Sequence, residues 1–279
     1  MNKIVAAFDG LKFSEGTKTY AVEMSKQSKT HLVGAFLDDI TYTSYKIYDL
    51  IKSKGVAEDQ IKRLDAADTD LRKKSADKFE QACRKAGVNY SVHHDRAIAL
   101  RELLHESIYA DMIIIDVKET FTHYTQKVPT RFIRELLGNV QCPVLLVPSK
   151  YKPVEKILLL YDGEPSSVYA VKMFSYLLPQ LADLPAEVIS VKSAERDLHL
   201  PDNKLMKEFM KRHFPHAGYT IRKGIAEEEI LDTVKKQPEN VMVVLGAYRR
   251  GEVSRWFRAS MADKLMKEVR APLFIAHNK

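Results

Sequence analysis

Long apolar runs are missing from this chain. The longest, among them Val144–Val147 and Val241–Leu245, hold about five residues against the ~20 that a membrane-spanning helix requires, so the sequence predicts no span. Cysteine is scarce. Cys83 and Cys142 are the two in 279 residues, too few for a disulfide framework and without the CxxC spacing of a metal or redox pair, so both read as small core residues. The opening MNKIVAAFDGLK lacks the roughly 7–15-residue apolar region of a secretory signal, which points to a cytoplasmic protein. Also absent are a GxSxG nucleophile elbow, a GxxxxGK[ST] P-loop and a GxGxxG fingerprint, and no pair of acids reads as a general base or metal site. The expectation is a protein without catalytic turnover. His93 and His94 are adjacent, and adjacent strand residues face opposite ways, so no shared metal ion is expected there.

What is present is the composition of a globular protein, with 45% hydrophobic and 29% charged residues, enough for about two domains with cores of their own. The net charge of +7 favours anionic ligands. Its basic residues are interleaved with acids, so nucleic acid is not the expected partner.

The chain repeats itself. KIVAAFDGLKFSEGTKTYAV (Lys3–Val22) restarts as KILLLYDGEPSSVYAVKMFS (Lys156–Ser175), so that Asp9, Gly10 and Ser14 correspond to Asp162, Gly163 and Ser167. The halves also close alike, DMIIID (Asp111–Asp116) matching NVMVVLG (Asn240–Gly246) and QCPVLLVP (Gln141–Pro148) matching RAPLFIAH (Arg270–His277). Such self-similarity predicts two copies of one unit, residues 1–149 and 154–279, with a linker at Ser149–Val154.

Within each copy, short apolar runs alternate with amphipathic stretches, the pattern of βαβ units in a parallel sheet covered on both faces. Strands are predicted at Ile4–Phe8, His31–Leu37, Asn89–His93, Met112–Ile115 and Val144–Val147, then at Ile157–Tyr161, Ala186–Val191, Tyr219–Arg222, Met242–Leu245 and Leu273–Ala276. Helices are predicted at Ser14–Ser28, Ala57–Ala86, Ala97–Tyr109, Thr130–Gly138 and Asn203–Phe214. In the long one, Ile61, Leu64, Ala67, Leu71, Phe79, Ala82 and Cys83 read as a buried stripe. Tyr42, Tyr45 and Tyr48 read as a packed connector, with a lid over strand two as the other reading. The fold class is therefore two tandem five-stranded, doubly wound α/β domains. The closing strands Val144–Val147 and Leu273–Ala276 are expected to pack the halves together, since short apolar edge strands otherwise invite aggregation.

In such sheets ligands bind beyond the carboxyl ends of the strands, where strand order reverses. After strand one, Asp9–Gly10 and Asp162–Gly163 combine a hydrogen-bonding carboxylate with a residue that lets backbone turn tightly, although Asp-Gly is also plain turn chemistry. After strand four of the second half, GAYRRGEVSRWFRASMADKL (Gly246–Leu265) offers two glycines, four arginines and a helix start near Ala259–Ser260. Backbone N–H groups, the Ser260 hydroxyl and guanidinium groups such as that of Arg249 suit a phosphate; the plainer reading is a solvated loop anchored by Trp256 and Phe257. The first-half counterpart, Asp116–Leu136, has no comparable glycines.

Taken together, the opening strand with Asp-Gly and the later Ser in both halves, the (C/A)P closing strand and the Gly loop before a Ser resemble the universal stress protein family in its tandem form. The resemblance covers essentially the whole chain. It implies a domain like those of the adenine nucleotide alpha hydrolases, and pairing through the last strands, here as an intramolecular pseudo-dimer and in a homodimer. It also implies an adenine nucleotide such as ATP held by a G-x2-G-x9-G-[ST] loop, by the strand-one Asp and by strand-two backbone near Phe36 and Val191, with Mg²⁺ left open. Gly246 and Ser260 keep their places in that loop; Arg249 and Ala259 stand where it has its second and third glycines. In the first half the same places hold Val117, Thr120, Thr130 and Arg131. Two readings follow: a cytoplasmic stress-response protein binding a nucleotide or other small anion mainly in its second half, or a ligand-free interaction module.

Overall fold

A computed structural model of the chain describes residues 1–39, 42, 58–192, 199–238, 240–247 and 259–277, apart from the side chains of Glu58, Asp95, Ala259 and Ser260. Tyr45, Tyr48, Trp256 and Phe257 fall outside these residues. The first half runs β1 (Lys3–Phe8), α1 (Glu15–Ser28), β2 (His31–Asp39), α2 (Glu58–Ala86), β3 (Tyr90–Ala97), α3 (Ala99–Glu106), β4 (Met112–Asp116), α4 (Arg131–Asn139) and β5 (Val144–Val147). The second repeats it with β6 (Lys156–Leu160), α5 (Pro165–Leu177), a 3-10 turn at Pro179–Leu181, β7 (Ala186–Lys192), α6 (Asn203–His213), β8 (Gly218–Lys223), α7 (Ala226–Lys235), β9 (Val241–Gly246), α8 (Ala259–Glu268) and β10 (Leu273–Ala276). No described helix is long and apolar enough to cross a membrane.

The strands form one ten-stranded sheet in the order β3-β2-β1-β4-β5-β10-β9-β6-β7-β8. Each half is parallel within itself, and the strand order reverses between β1 and β4 and again between β6 and β9. The central strands are apolar at nearly every position because helices cover both faces, giving two core layers, one with Ile4, Phe8 and Phe174 and one with Val5, Ile113 and Leu160. The halves join where β5 and β10 pair antiparallel, Leu146 against Leu273, Leu145 against Phe274 and Val144 against Ile275, as the closing strands predict. Those strands are therefore no longer free edges; β3 and β8 are the outer strands.

Local chemistry explains the boundaries. The Ser14 hydroxyl caps α1 by accepting from the Thr17 amide, and Lys29 ends it in a left-handed conformation. The segment between the halves is clipped to α1: the Tyr20 hydroxyl donates to the Lys152 carbonyl (3.1 Å), and the Tyr151 ring packs edge-on at 4.7 Å.

Three elements differ from their sequence reading. The strand predicted at Asn89–His93 continues to Ala97, paired with β2 up to Asp39, and the helix predicted from Ala97 starts at Ala99, where the Asp39 carboxylate accepts the first free amide. The long α2 buries Ser75, Ala76, Phe79 and Cys83, whereas Ala67 is exposed and Leu71 is 43% exposed. At 29 residues it spans about 43 Å, and in its first turns Ile61 and Leu64 are partly buried and Asp68 is buried. Cys83 is buried and Cys142 partly buried, and burial pushes both thiols up to about 12.

Phe274 is wholly buried in the joining strand, its ring edge-on to Phe174 at 5.2 Å. Phe274→Ala is expected to cost about 3–5 kcal/mol in urea unfolding and to raise amide hydrogen exchange in β5 as well as β10. Faster exchange confined to β10 would show that the halves do not depend on this ladder.

Candidate functional site

Both strand-one Asp-Gly turns are built alike. Asp9 Oδ1 accepts the Leu11 amide (2.8 Å) and Asp162 Oδ1 the Glu164 amide (2.9 Å), turns in which a side-chain oxygen replaces a backbone acceptor. Both carboxylates are buried. What lies above each turn differs. In the first half the stem of Arg72 covers Gly10, and the Ser75 hydroxyl donates to the Gly10 carbonyl at 2.7 Å. In the second, Gly163 takes φ +90°, and a Cβ there would come within 2.6 Å of the Pro201 side chain; the Tyr161 hydroxyl donates to the Pro201 carbonyl at 3.0 Å.

Beside the first turn, protein rings fill the end of strand two. Phe36 is buried and stacks on Phe8 at 5.1 Å, Phe13 stacks on Phe8 at 5.1 Å, and His94 lies over Phe36 at 5.6 Å. His93, on the other face, bonds the Glu106 carboxylate at 2.5 Å. The second half places something else at this position. Phe36 pairs in register with Phe8, and because Leu160 pairs with Ile189, the residue opposite Tyr161 is Ser190. Val191 is one step further, its side chain wholly buried in the opposite core layer. Ser190 is 1% exposed, and among the described residues its Oγ has no hydrogen-bond partner. Sequence reasoning aligned Phe36 with Val191, and only strand register brings out Ser190.

The loop after β4 of the first half turns inward. Glu119 is buried, with Oε1 accepting the Thr120 (2.8 Å) and Phe121 (3.0 Å) amides. Its carbonyl accepts the Thr130 hydroxyl (2.5 Å), which also caps α4. Phe121, at φ +48°, packs its ring on Phe132. Lys12 reaches across, bonding Thr120 Oγ1 (3.1 Å) and the Thr122 carbonyl, with Nζ 3.7 Å from Asp9 Oδ2. Burial, with the Asp9 charge second, pushes the Glu119 carboxyl up to about 7, and burial likewise raises Asp9. Tyr42, also buried, is raised by burial and then by the Asp9 and Glu119 charges. Beside this loop lies a cleft of about 600 Å³, with Lys12, Ser14, Asp116, Lys118, Tyr124 and Gln126 in its walls. Ser14 Oγ donates to Asp116 Oδ2 at 2.8 Å across it. Glu119 escaped the sequence reading because a glutamate in a polar loop carries no mark of burial.

In the second half, β9 ends against the start of α5: a Cβ on Gly246 would run into the Ser166 carbonyl, so only glycine fits. Asp162, Gly163 and Gly246 thus meet at the amino end of α5. The backbone of Ala259 and Ser260 opens α8, as the loop pattern predicts; their side chains and Arg249 lie outside the described residues.

No family model and no curated protein sequence matches the chain. Solved structures do. A universal stress protein from Archaeoglobus fulgidus DSM 4304 superposes with a TM-score of 0.70 at 14% identity, over 100% of this chain and 99% of that one. A functionally unknown protein from Pseudomonas aeruginosa PAO1 gives 0.59 at 15% identity, over 99% and 92%. The cytoplasmic domain of a prokaryotic cation chloride cotransporter gives 0.52 at 10%, over 99% and 95%. The chain has the tandem universal stress protein fold.

Glu119 makes stability depend on pH in a defined direction. Its folded value lies above the ordinary 4.5, so the fold favours the neutral acid. The contribution is intact below about pH 4.5 and is lost as pH rises through about 7. Asp9, also raised, acts in the same direction. Glu119→Gln should flatten urea midpoints measured between pH 5 and 8; an unchanged slope would place the proton elsewhere.

Proposed function

We propose that the chain is a universal stress protein-type, non-catalytic response protein of the cytoplasm that binds an adenine nucleotide, or a similar small anion, in its second half. The observation that carries this reading is the buried Ser190 hydroxyl at the end of β7, which has no partner among the described residues. A buried hydroxyl without a partner costs about 1–3 kcal/mol, and a base or ribose edge placed beside Asp162 and Gly163 would satisfy it. The N–H groups opening α5 and α8 would face its phosphates, and Arg249, assigned from the sequence, would add a guanidinium.

The first half supports the same choice by contrast. Phe13 and Phe36 take up the room beside strand two, and Asp9, Asp116 and Glu119 stand at the strand ends, where a polyphosphate would meet carboxylates. The Asp9 and Gly10 positions are therefore assigned to holding the turn. Because β5 and β10 are engaged with each other, homodimerisation would use the outer strands or the helices.

The test is a thermal melt of the full chain with ATP, ADP and AMP, with and without Mg²⁺. A ligand at 100 times its dissociation constant adds about 2.7 kcal/mol, a shift of about 5 °C for a chain of this size. Asp162→Ala and Arg249→Ala should abolish the shift. Ser190→Ala should leave the unliganded melting point unchanged or slightly higher, since it removes an unsatisfied hydroxyl, while reducing the nucleotide shift. A full shift in all three variants would remove the second-half site, and no shift with any nucleotide in the parent chain would favour the ligand-free interaction module.

A further inference from the structure

At the carboxyl ends of β2 and β3, away from the second-half site, a cavity of about 100 Å³ opens over Gly10, with Phe36, Asp38, Arg72, His94 and Arg96 around it. Strand register places Arg96 opposite Asp38, yet the Asp38 carboxylate is taken by Arg72 Nη1 at 2.8 Å. Among the described residues the other Arg72 amino group has a 3.4 Å contact with the Tyr42 carbonyl and no other hydrogen bond. Among the described residues Arg96 has neither a hydrogen-bond nor an ion-pair partner. His94 is held at the rim by its stack on Phe36. Asp38 is thus the one carboxylate in the cavity wall against two guanidinium groups; Asp9, beneath it, has the charges of both Lys12 and Arg72 nearby.

We propose that this cavity binds a small tetrahedral oxyanion of the phosphate or sulfate class between Arg72 and Arg96. Guanidinium groups present paired N–H donors at the spacing of two oxygens on such an ion. The Phe36 ring excludes water from one side, which strengthens the charge interaction. The volume admits the ion with a water or two and is too small to enclose a whole nucleotide. The phosphate could arrive free or as the end of a phosphomonoester; in the latter case the organic part must remain outside the cavity.

The experiment is an NMR titration of the full chain, following the His94 ring resonances as inorganic phosphate is added, with glycerol phosphate as the ester arm. Saturable shifts are expected with inorganic phosphate, and saturation by the ester as well would show that the terminal group suffices. Arg96→Gln should weaken binding about tenfold, and Arg72→Lys, which keeps the charge and loses the fork, should also weaken it. Arg222→Gln, an exposed arginine on the far outer strand, reports general attraction to a chain of net charge +7 and should leave binding unchanged. Equal weakening by Arg96→Gln and Arg222→Gln, or no saturation with either anion, would overturn the proposal. Neither result bears on nucleotide binding at Asp162.

Discussion

The antiparallel ladder between β5 and β10 is the constraint on which the rest of the molecule turns. Val144–Val147 and Leu273–Ala276 are buried at every position, and each alone would leave its half with an open apolar edge. Joined, they convert two sheets into one. Because every strand is parallel to its neighbours within a half and the junction is antiparallel, the carboxyl ends of the two sets of strands point in opposite directions. The two strand-end sites therefore lie on opposite edges of the sheet, and neither can borrow a residue from the other across the ladder. Each had to be complete within its own half, which left the two copies free to diverge in chemistry while keeping one scaffold.

They have diverged in charge and in filling. The first half closes its strand ends with stacked Phe8, Phe13 and Phe36 and with the buried Asp9 and Glu119. Like charges about 4 Å apart interact by about 4 kcal/mol at the effective dielectric of a protein surface, so these carboxylates oppose a polyphosphate unless protonated. Among the described residues Lys12 supplies the one ammonium in contact with this group and is itself bonded to Thr120 and the Thr122 carbonyl. The second half has no acid at the position of Phe36, only the small hydroxyl of Ser190.

Much of the fold was legible in the sequence, because repetition and apolar periodicity are carried by the residues themselves. The paired Asp-Gly turns, the matched Pro143 and Pro272 and the closing strands all lie where the pattern puts them. Information that depends on third parties was not legible. Whether Val191 or Ser190 faces the Asp162 side is decided by which residue of β7 lies opposite Tyr161, and alternation reverses the answer with a one-residue slip. The inward turn of Glu119 depends on the Thr130 hydroxyl and on Phe121 tolerating a left-handed backbone. Of the stripe at Ile61, Leu64, Ala67 and Leu71 the first two are partly buried and the last two exposed; helical spacing alone does not say which of its positions are covered.

The crossover after strand two then decides what each Asp-Gly turn can receive. In the first half that crossover returns as the 29-residue α2, and its Arg72 and Ser75 hold the turn by an ion pair to Asp38 and a hydrogen bond to the Gly10 carbonyl. In the second half the short α6 is preceded by Leu200 and Pro201, held by packing of the buried Leu200 and by the Tyr161 hydroxyl. Proline offers no amide to bond the turn beneath it, and a single neutral hydrogen bond contributes about 1 kcal/mol. Among the described residues the first-half turn is covered through an ion pair and a bond to its backbone and the second-half turn through the Tyr161 bond, and local opening costs less where fewer such contacts break. Replacing one crossover by the other changes access to the turn without altering the Asp-Gly pair, and this places the difference between the halves in the element least constrained by the sheet.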